Sequence, residues 1–203
     1  MGDILKTAVA LLKSGEVIAA PTDTVYGLIA DATNSSAVAK IYNLKQRPIT
    51  KPLVILVSNV AMARKFADFS EEHEKMLKDF WTIKRLPLTV VLKAKKNSKL
   101  ATAGGNTVAL RVPNHKLSCE LIRYLGGPIV ASSANISGIA PATTYKMVKD
   151  DFGGKIPLII DGGTCKNTSP STILDLSKKK PTILREGSAS LSNLLIWKSN
   201  EGT

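Results

Sequence analysis

The chain of 203 residues carries 28 Lys and Arg against 16 Asp and Glu, a formal charge of +12, and 44% of its residues are apolar. That apolar share supports one sizeable core, the cation excess points to polyanionic partners, and the longest aliphatic stretches, such as Leu53–Val57, fall far short of the ~20 residues of a membrane-spanning helix. Cys119 and Cys165 lack CxxC or Cys/His spacing, so neither a disulfide framework nor structural zinc is indicated, and a reducing, cytoplasmic setting without a secretory leader fits best.

In chain order, apolar residues at Ile4, Leu5, Ala8, Val9, Leu11 and Leu12 predict a helix with Asp3 as N-cap and Gly15 as its stop. Glu16 to Ala20 reads as a short buried strand ended by Pro21, followed by a loop carrying Thr22-Asp23-Thr24. Asn34-Ser35-Ser36 caps a second helix that runs to about Leu44, and Pro48 closes the segment behind it. Leu53 to Ser58 is a strand, and residues 60 to 80 form one or two amphipathic helices. Further strands are expected at Leu88 to Leu92, Thr107 to Val112, Ile129 to Ser132, Leu158 to Ile160, Ser171 to Leu176 and Thr182 to Arg185. Helices are expected from Leu117 to Leu125, stopped by Gly126-Gly127, and around Thr144 to Lys149. Interleaved helices and strands argue for one α/β domain over residues 1–198, with a polar tail at 199–203 that frays. The longer loops, Ala94 to Asn106 and Asp161 to Pro170, are candidate site loops.

Common nucleotide signatures are absent. The nearest approach to a P-loop, Gly154-Lys155, has Lys149 in place of the first glycine and Ile156 in place of Ser or Thr, and there is no GxGxxG. His73, among Glu71, Glu72 and Glu74, reads as part of a solvated face. Three cations in seven residues, Lys45, Arg47 and Lys51, follow the second helix. They either serve the helix C-terminus and its dipole or, at the end of a sheet strand where α/β proteins bind ligands, hold a triphosphate. Ser132-Ser133-Ala134-Asn135-Ile136-Ser137-Gly138 is either an ordinary turn or an anion-binding nest of backbone N–H groups. Arg111 and Arg185 on two strands add a further pair suited to anions.

Taken together, six ordered segments resemble the YrdC family: Pro21-Thr22-Asp23-Thr24-Val25-Tyr26-Gly27-Leu28; Lys45-x-Arg47 with Lys51-Pro52-Leu53; Val108-Ala109-Leu110-Arg111-Val112-Pro113; Ser133-Ala134-Asn135-x-Ser137-Gly138; Ser171-Thr172-Ile173-x-Asp175; and Ile183-Leu184-Arg185-x-Gly187. The chain departs from the family's usual pattern at Thr82-Ile83-Lys84-Arg85-Leu86 and at Leu56-Val57, and it stops soon after Arg185, as short members without the extra C-terminal domain do. The resemblance implies a twisted mixed sheet flanked by helices around a concave basic cleft. It also implies L-threonylcarbamoyladenylate synthase activity, in which threonine, bicarbonate and ATP give threonylcarbamoyl-AMP and pyrophosphate for tRNA modification by downstream transferase proteins. Carried over by motif, Arg47, Lys51, Thr107, Ser133 and Arg185 contact ATP, Lys45 and Asn135 complete the catalytic cluster, and Thr24, Arg111 and Ser171 hold threonine. Mg2+ arrives with ATP, and no protein metal site is required. The competing readings are an RNA-binding protein that uses the same basic surface without synthase activity, against which the 5% aromatic content counts, and a paralogue that kept the fold and lost the activity.

Overall fold

Strands that are buried on both faces must be apolar at consecutive positions, and this chain's central strands are. The computed structural model describes residues 2–101, 105–165 and 169–190. It contains the helices α1 (Asp3–Lys13), α2 (Ser35–Leu44), α3 (Val60–Ala63), α4 (Glu71–Lys78), α5 (Lys116–Leu125) and α6 (Tyr145–Phe152), and a π-helical turn at Asp79–Ile83. The strands are β1 (Ile18–Ala20), β2 (Gly27–Asp31), β3 (Val54–Leu56), β4 (Ala67–Asp68), β5 (Leu88–Ala94), β6 (Thr107–Arg111), β7 (Ile129–Ser133), β8 (Leu158–Ile159), β9 (Thr172–Asp175) and β10 (Thr182–Arg185).

All ten join one mixed sheet in the order β10-β9-β5-β6-β3-β7-β2-β1-β8, with β4 paired to β5. Parallel neighbours are β5 with β9, β3 with β6 and β1 with β8, and the other pairs are antiparallel. In β2, β3 and β7, consecutive side chains enter opposite cores. Leu28, Ile55 and Val130 pack with α2, α3, α4 and α6, while Ile29, Leu56 and Ile129 pack with α1 and α5. The result is a twisted sheet between two helical layers, in agreement with the expected fold class.

Capping explains several boundaries. The Asn34 carboxamide accepts from the Ala37 N–H at 3.1 Å and starts α2, and Gly126, at φ +77°, ends α5. Gly2 rather than Asp3 occupies the N-cap of α1, and Asp3 lies in its first turn. The segment from 60 to 80 is not continuous helix. Asn59 and Ser70 cap α3 and α4 separately, and β4 lies between them. The strand β2, paired with the nearby β1 and with β7 about a hundred residues away, was not expected from the sequence, because Gly27 and Ala30 have little intrinsic strand preference. The expected tail at 199–203 and the middles of both long loops lie outside the described residues. Among the described residues no helix is long and apolar enough to cross a membrane.

Candidate functional site

The loop from Pro21 to Tyr26 is held by its own hydroxyls. Thr22 Oγ1 donates to Val25 O at 2.7 Å and lies 3.1 Å from Thr24 Oγ1. A hydroxyl has one proton, so Thr24 is the donor of the second contact, and its oxygen keeps lone pairs for an incoming N–H. Tyr26, fully buried, donates through its phenol to Gly163 O at 2.8 Å and accepts from the Gly162 N–H at 3.0 Å. A Cβ at Gly162 would stand 2.4 Å from Pro21 Cγ, so glycine is what lets the 161–165 segment lie against this loop.

Asp23 reaches across to β6. Its Oδ2 accepts from Arg111 Nη2 at 2.6 Å and from the Asn114 N–H at 3.0 Å. Arg111 is 6% exposed, and its Nε is buried without a partner. Burial pulls the guanidinium's pKa below its usual range, and Asp23 opposes that shift. An unpaired buried guanidinium N–H is costly unless something completes it. Sequence reasoning assigned Asp23 no part; an aspartate between two threonines carries no periodic signal, and its partner is 88 positions away.

On the far strands, Arg185 donates from Nε and Nη2 to Ser171 O at 3.1 and 2.7 Å, and from Nη2 to Ser171 Oγ at 3.3 Å. Ser171 Oγ also lies 2.8 Å from Thr89 Oγ1, a buried hydroxyl on β5 that the sequence did not single out. Gly187 explains the ending of the Arg185-x-Gly187 motif. A Cβ there would come within 2.3 Å of Pro170 O and 2.5 Å of Ser171 C, so only glycine lets the chain pass this close behind Ser171. The Arg185 guanidinium is pulled below its usual pKa by burial, then by Arg111 and then by Arg47. Arg185 therefore feels the charges of Arg111 and Arg47, although the three arginines come from β10, β6 and the segment after α2.

The basic segment after α2 divides. Lys45 is 2% exposed and turns inward, where Nζ donates to Ser133 O, to Asn135 O at 2.9 Å and to Asn135 Oδ1 at 3.3 Å. Its three protons thus meet three protein acceptors, and burial followed by Arg47 lowers its pKa to about 8. Arg47 donates to Lys51 O at 3.2 Å and Pro52 O at 3.0 Å, whereas Lys51 is exposed. Backbone N–H groups, not these side chains, meet the last carbonyls of α2: Lys45 N–H bonds Ile41 O and Arg47 N–H bonds Tyr42 O. Lys45 and Arg47 thus fasten loops rather than cap the helix, and the three cations comprise one buried lysine, one half-buried arginine and one exposed lysine.

The structure brings Lys45-x-Arg47 against Ser133-x-Asn135 through those Nζ contacts and the Ser137 N–H to Lys45 O bond of 2.8 Å. Of the two readings of the segment after β7, the ordinary turn describes its hydrogen bonds better than an open nest. The N–H groups of Ala134, Asn135 and Ser137 are taken by Tyr26 O, Ser133 O and Lys45 O, and the Asn135 amide donates to Ile136 O and Ile139 O. Thr107 is exposed at the start of β6, in register with Lys93, while Arg111 ends the same strand. Among the described residues no group of three or more His, Cys, Asp or Glu gathers as a metal site.

The Sua5/YciO/YrdC sequence family, described as "Telomere recombination", matches residues 10–187. The chain belongs to that family. It is 41% identical over 183 residues to threonylcarbamoyl-AMP synthase of Bacillus subtilis, covering 89% of this chain and 52% of that protein. A relative of the same name from Photobacterium profundum is 34% identical over 186 residues, 91% of this chain and 100% of its own length. The crystal structure of Pyrococcus abyssi Sua5 complexed with L-threonine superposes with a TM-score of 0.87 at 36% identity, over 95% of this chain and 56% of that one. The chain thus spans about half the length of the Bacillus and Pyrococcus members of the Sua5/YciO/YrdC family.

Proposed function

We propose that the chain is an L-threonylcarbamoyladenylate synthase. Threonine's amine adds bicarbonate to form a carbamate with loss of water; a carbamate oxygen then attacks the α-phosphorus of ATP, the bond to the β-phosphate oxygen breaks, and threonylcarbamoyl-AMP and pyrophosphate result. Such a transfer needs positioning and stabilisation of phosphate charge more than a dedicated base.

The observation that carries the reading is the buried Arg111 Nε with no partner, on a guanidinium held by Asp23, the neighbour of Thr24, and near enough to Arg185 to depress its pKa. In this proposal Arg111 takes the threonine carboxylate, Thr24 accepts from the ammonium, and Ser171 meets the side-chain hydroxyl. Arg47, Lys51, Thr107, Ser133 and Arg185 face ATP across a concave basic cleft, and Mg2+ enters as the companion of the triphosphate. Lys45 and Asn135 position Ser133 rather than touch phosphate, because the Lys45 protons are already engaged. The relatives' shared name supports the synthase reading. We further infer a cytoplasmic place, with tRNA-modifying transferase proteins as recipients of the product. RNA binding to the same surface is the second reading, favoured by the charge of +12.

Purified protein given ATP, threonine and bicarbonate should release pyrophosphate only when all three are present. Release independent of threonine contradicts the proposal, and RNA retention without any release favours the second reading.

A further inference from the structure

A recess of about 440 Å3 borders α2, lined by Glu16, Val17, Lys40, Asn43, Leu44, Gln46, Lys155, Ile156 and Pro157. None of these residues belongs to the site described above, and the volume falls within the range of small-molecule sites. Its chemistry is mixed in a particular way. Val17, Leu44, Ile156 and Pro157 give apolar walls. Asn43 and Gln46, both exposed, each bring a carboxamide that no other described side chain or backbone group engages, so that both amides are open to the recess. A carboxamide offers donor and acceptor together, the pairing that reads the edge of a nucleobase. Lys155 is exposed and uses one donor on Asp151 O, which leaves charge for an anion, whereas Lys40 is tied to Glu16 at 2.8 Å and to Gly15 O.

We propose that this recess is a second, non-catalytic binding site for a purine nucleoside monophosphate, with the base between the apolar walls, the two amides at its edge and the phosphate toward Lys155. Gln46 also connects the recess to the candidate site. Gln46 stands between Lys45 and Arg47 and holds φ at +49°, a left-handed conformation that costs a non-glycine residue free energy and makes the turn sensitive to what grips it. A ligand bonded to the Gln46 amide acts on the turn from which Arg47 departs. The proposal does not depend on the synthase reading, since it concerns residues outside the proposed ATP contacts.

The test uses 8-azido-AMP as photoprobe on the whole chain. Adducts are expected within residues 40–46 or 155–157, and they should persist in Arg185→Ala, which disables the proposed cleft. Asn43→Leu together with Lys155→Glu should weaken this labelling at least tenfold while leaving labelling elsewhere intact. Adenosine should compete and inorganic phosphate alone should not. Adducts confined to other segments, absence of labelling, undiminished labelling of the double variant at 40–46 and 155–157, or full displacement by phosphate alone would each overturn the proposal. Circular dichroism of the double variant separates loss of the site from loss of the fold, and if it is unfolded, Gln46→Gly, which relieves the turn and removes one amide, should give the same tenfold loss; retained labelling in a folded Gln46→Gly would equally overturn it.

Discussion

The two halves of the candidate site are built on opposite plans. Around Arg111 the polar groups are buried and incompletely partnered: Nε has none, and Thr24 Oγ1 keeps free lone pairs. Around Lys45 the three Nζ protons are spent inside the protein, the neighbouring Ser137 hydroxyl is buried without a partner, and the exposed charge lies further out on Lys51. A half with open valences is prepared to complete itself with a small ligand of fixed shape. A half whose lysine is fully engaged is a support that fixes the Ser133 loop, and in our proposal the exposed Lys51 beyond it meets the larger, more charged ligand. The difference teaches that a cation's presence in a motif does not say whether it touches substrate; its unused protons do.

The largest expected effect comes from removing the counterion of the open half. Asp23→Ala leaves Arg111 charged, buried and unpaired, and loss of one member of such a pair costs about 3–5 kcal/mol. Urea unfolding should show that loss; a variant within 1 kcal/mol of the parent would mean that Arg111 is satisfied by solvent.

Lys45 offers the corresponding test of the closed half. With its pKa lowered from 10.5 to about 8, the unfolded chain binds the proton more readily than the folded one between those values. Folding stability is therefore penalised at and below pH 8, and the penalty is relieved as pH rises to about 10.5, a gain of about 3 kcal/mol at 1.36 kcal/mol per pH unit. Lys45→Met should lose that gain relative to the parent when unfolding is compared at pH 7.5 and pH 10. Parallel pH profiles for the two proteins would place Lys45 in water.

How much of this was legible in the sequence follows from the range of each interaction. The α2 start at Asn34, the stop at Gly126 and the strands β9 and β10 were visible because caps, glycines and apolar runs act within a few residues. The contacts Arg111–Asp23, Lys45–Asn135 and Ser171–Thr89 span 88, 90 and 82 positions, and periodicity reports a face without naming its partner. The motifs brought the right segments to attention, but only the fold showed that Lys45 faces inward and that Arg185 is fastened to Ser171.

Gly187→Ala is a smaller perturbation aimed at that fastening. The new methyl meets the backbone at 170–172, and forced overpacking costs typically 1–3 kcal/mol. Threonine-dependent turnover should fall with it if Ser171 is displaced; full turnover would show that the strand accommodates the methyl without moving Ser171. The smallest effect is expected outside the site. Asn34→Ala removes the α2 cap for about 1 kcal/mol in thermal unfolding, with turnover unchanged.

The most direct measurement is calorimetric titration of threonine and of ATP, separately, into the parent chain and Arg111→Ala. A charge-assisted bond contributes about 1.5–3 kcal/mol, so the variant should bind threonine roughly ten- to a hundredfold more weakly while ATP affinity changes by less than about threefold. Threonine affinity unchanged in a folded Arg111→Ala, or equal losses for both ligands, would contradict the assignment of the open half to threonine.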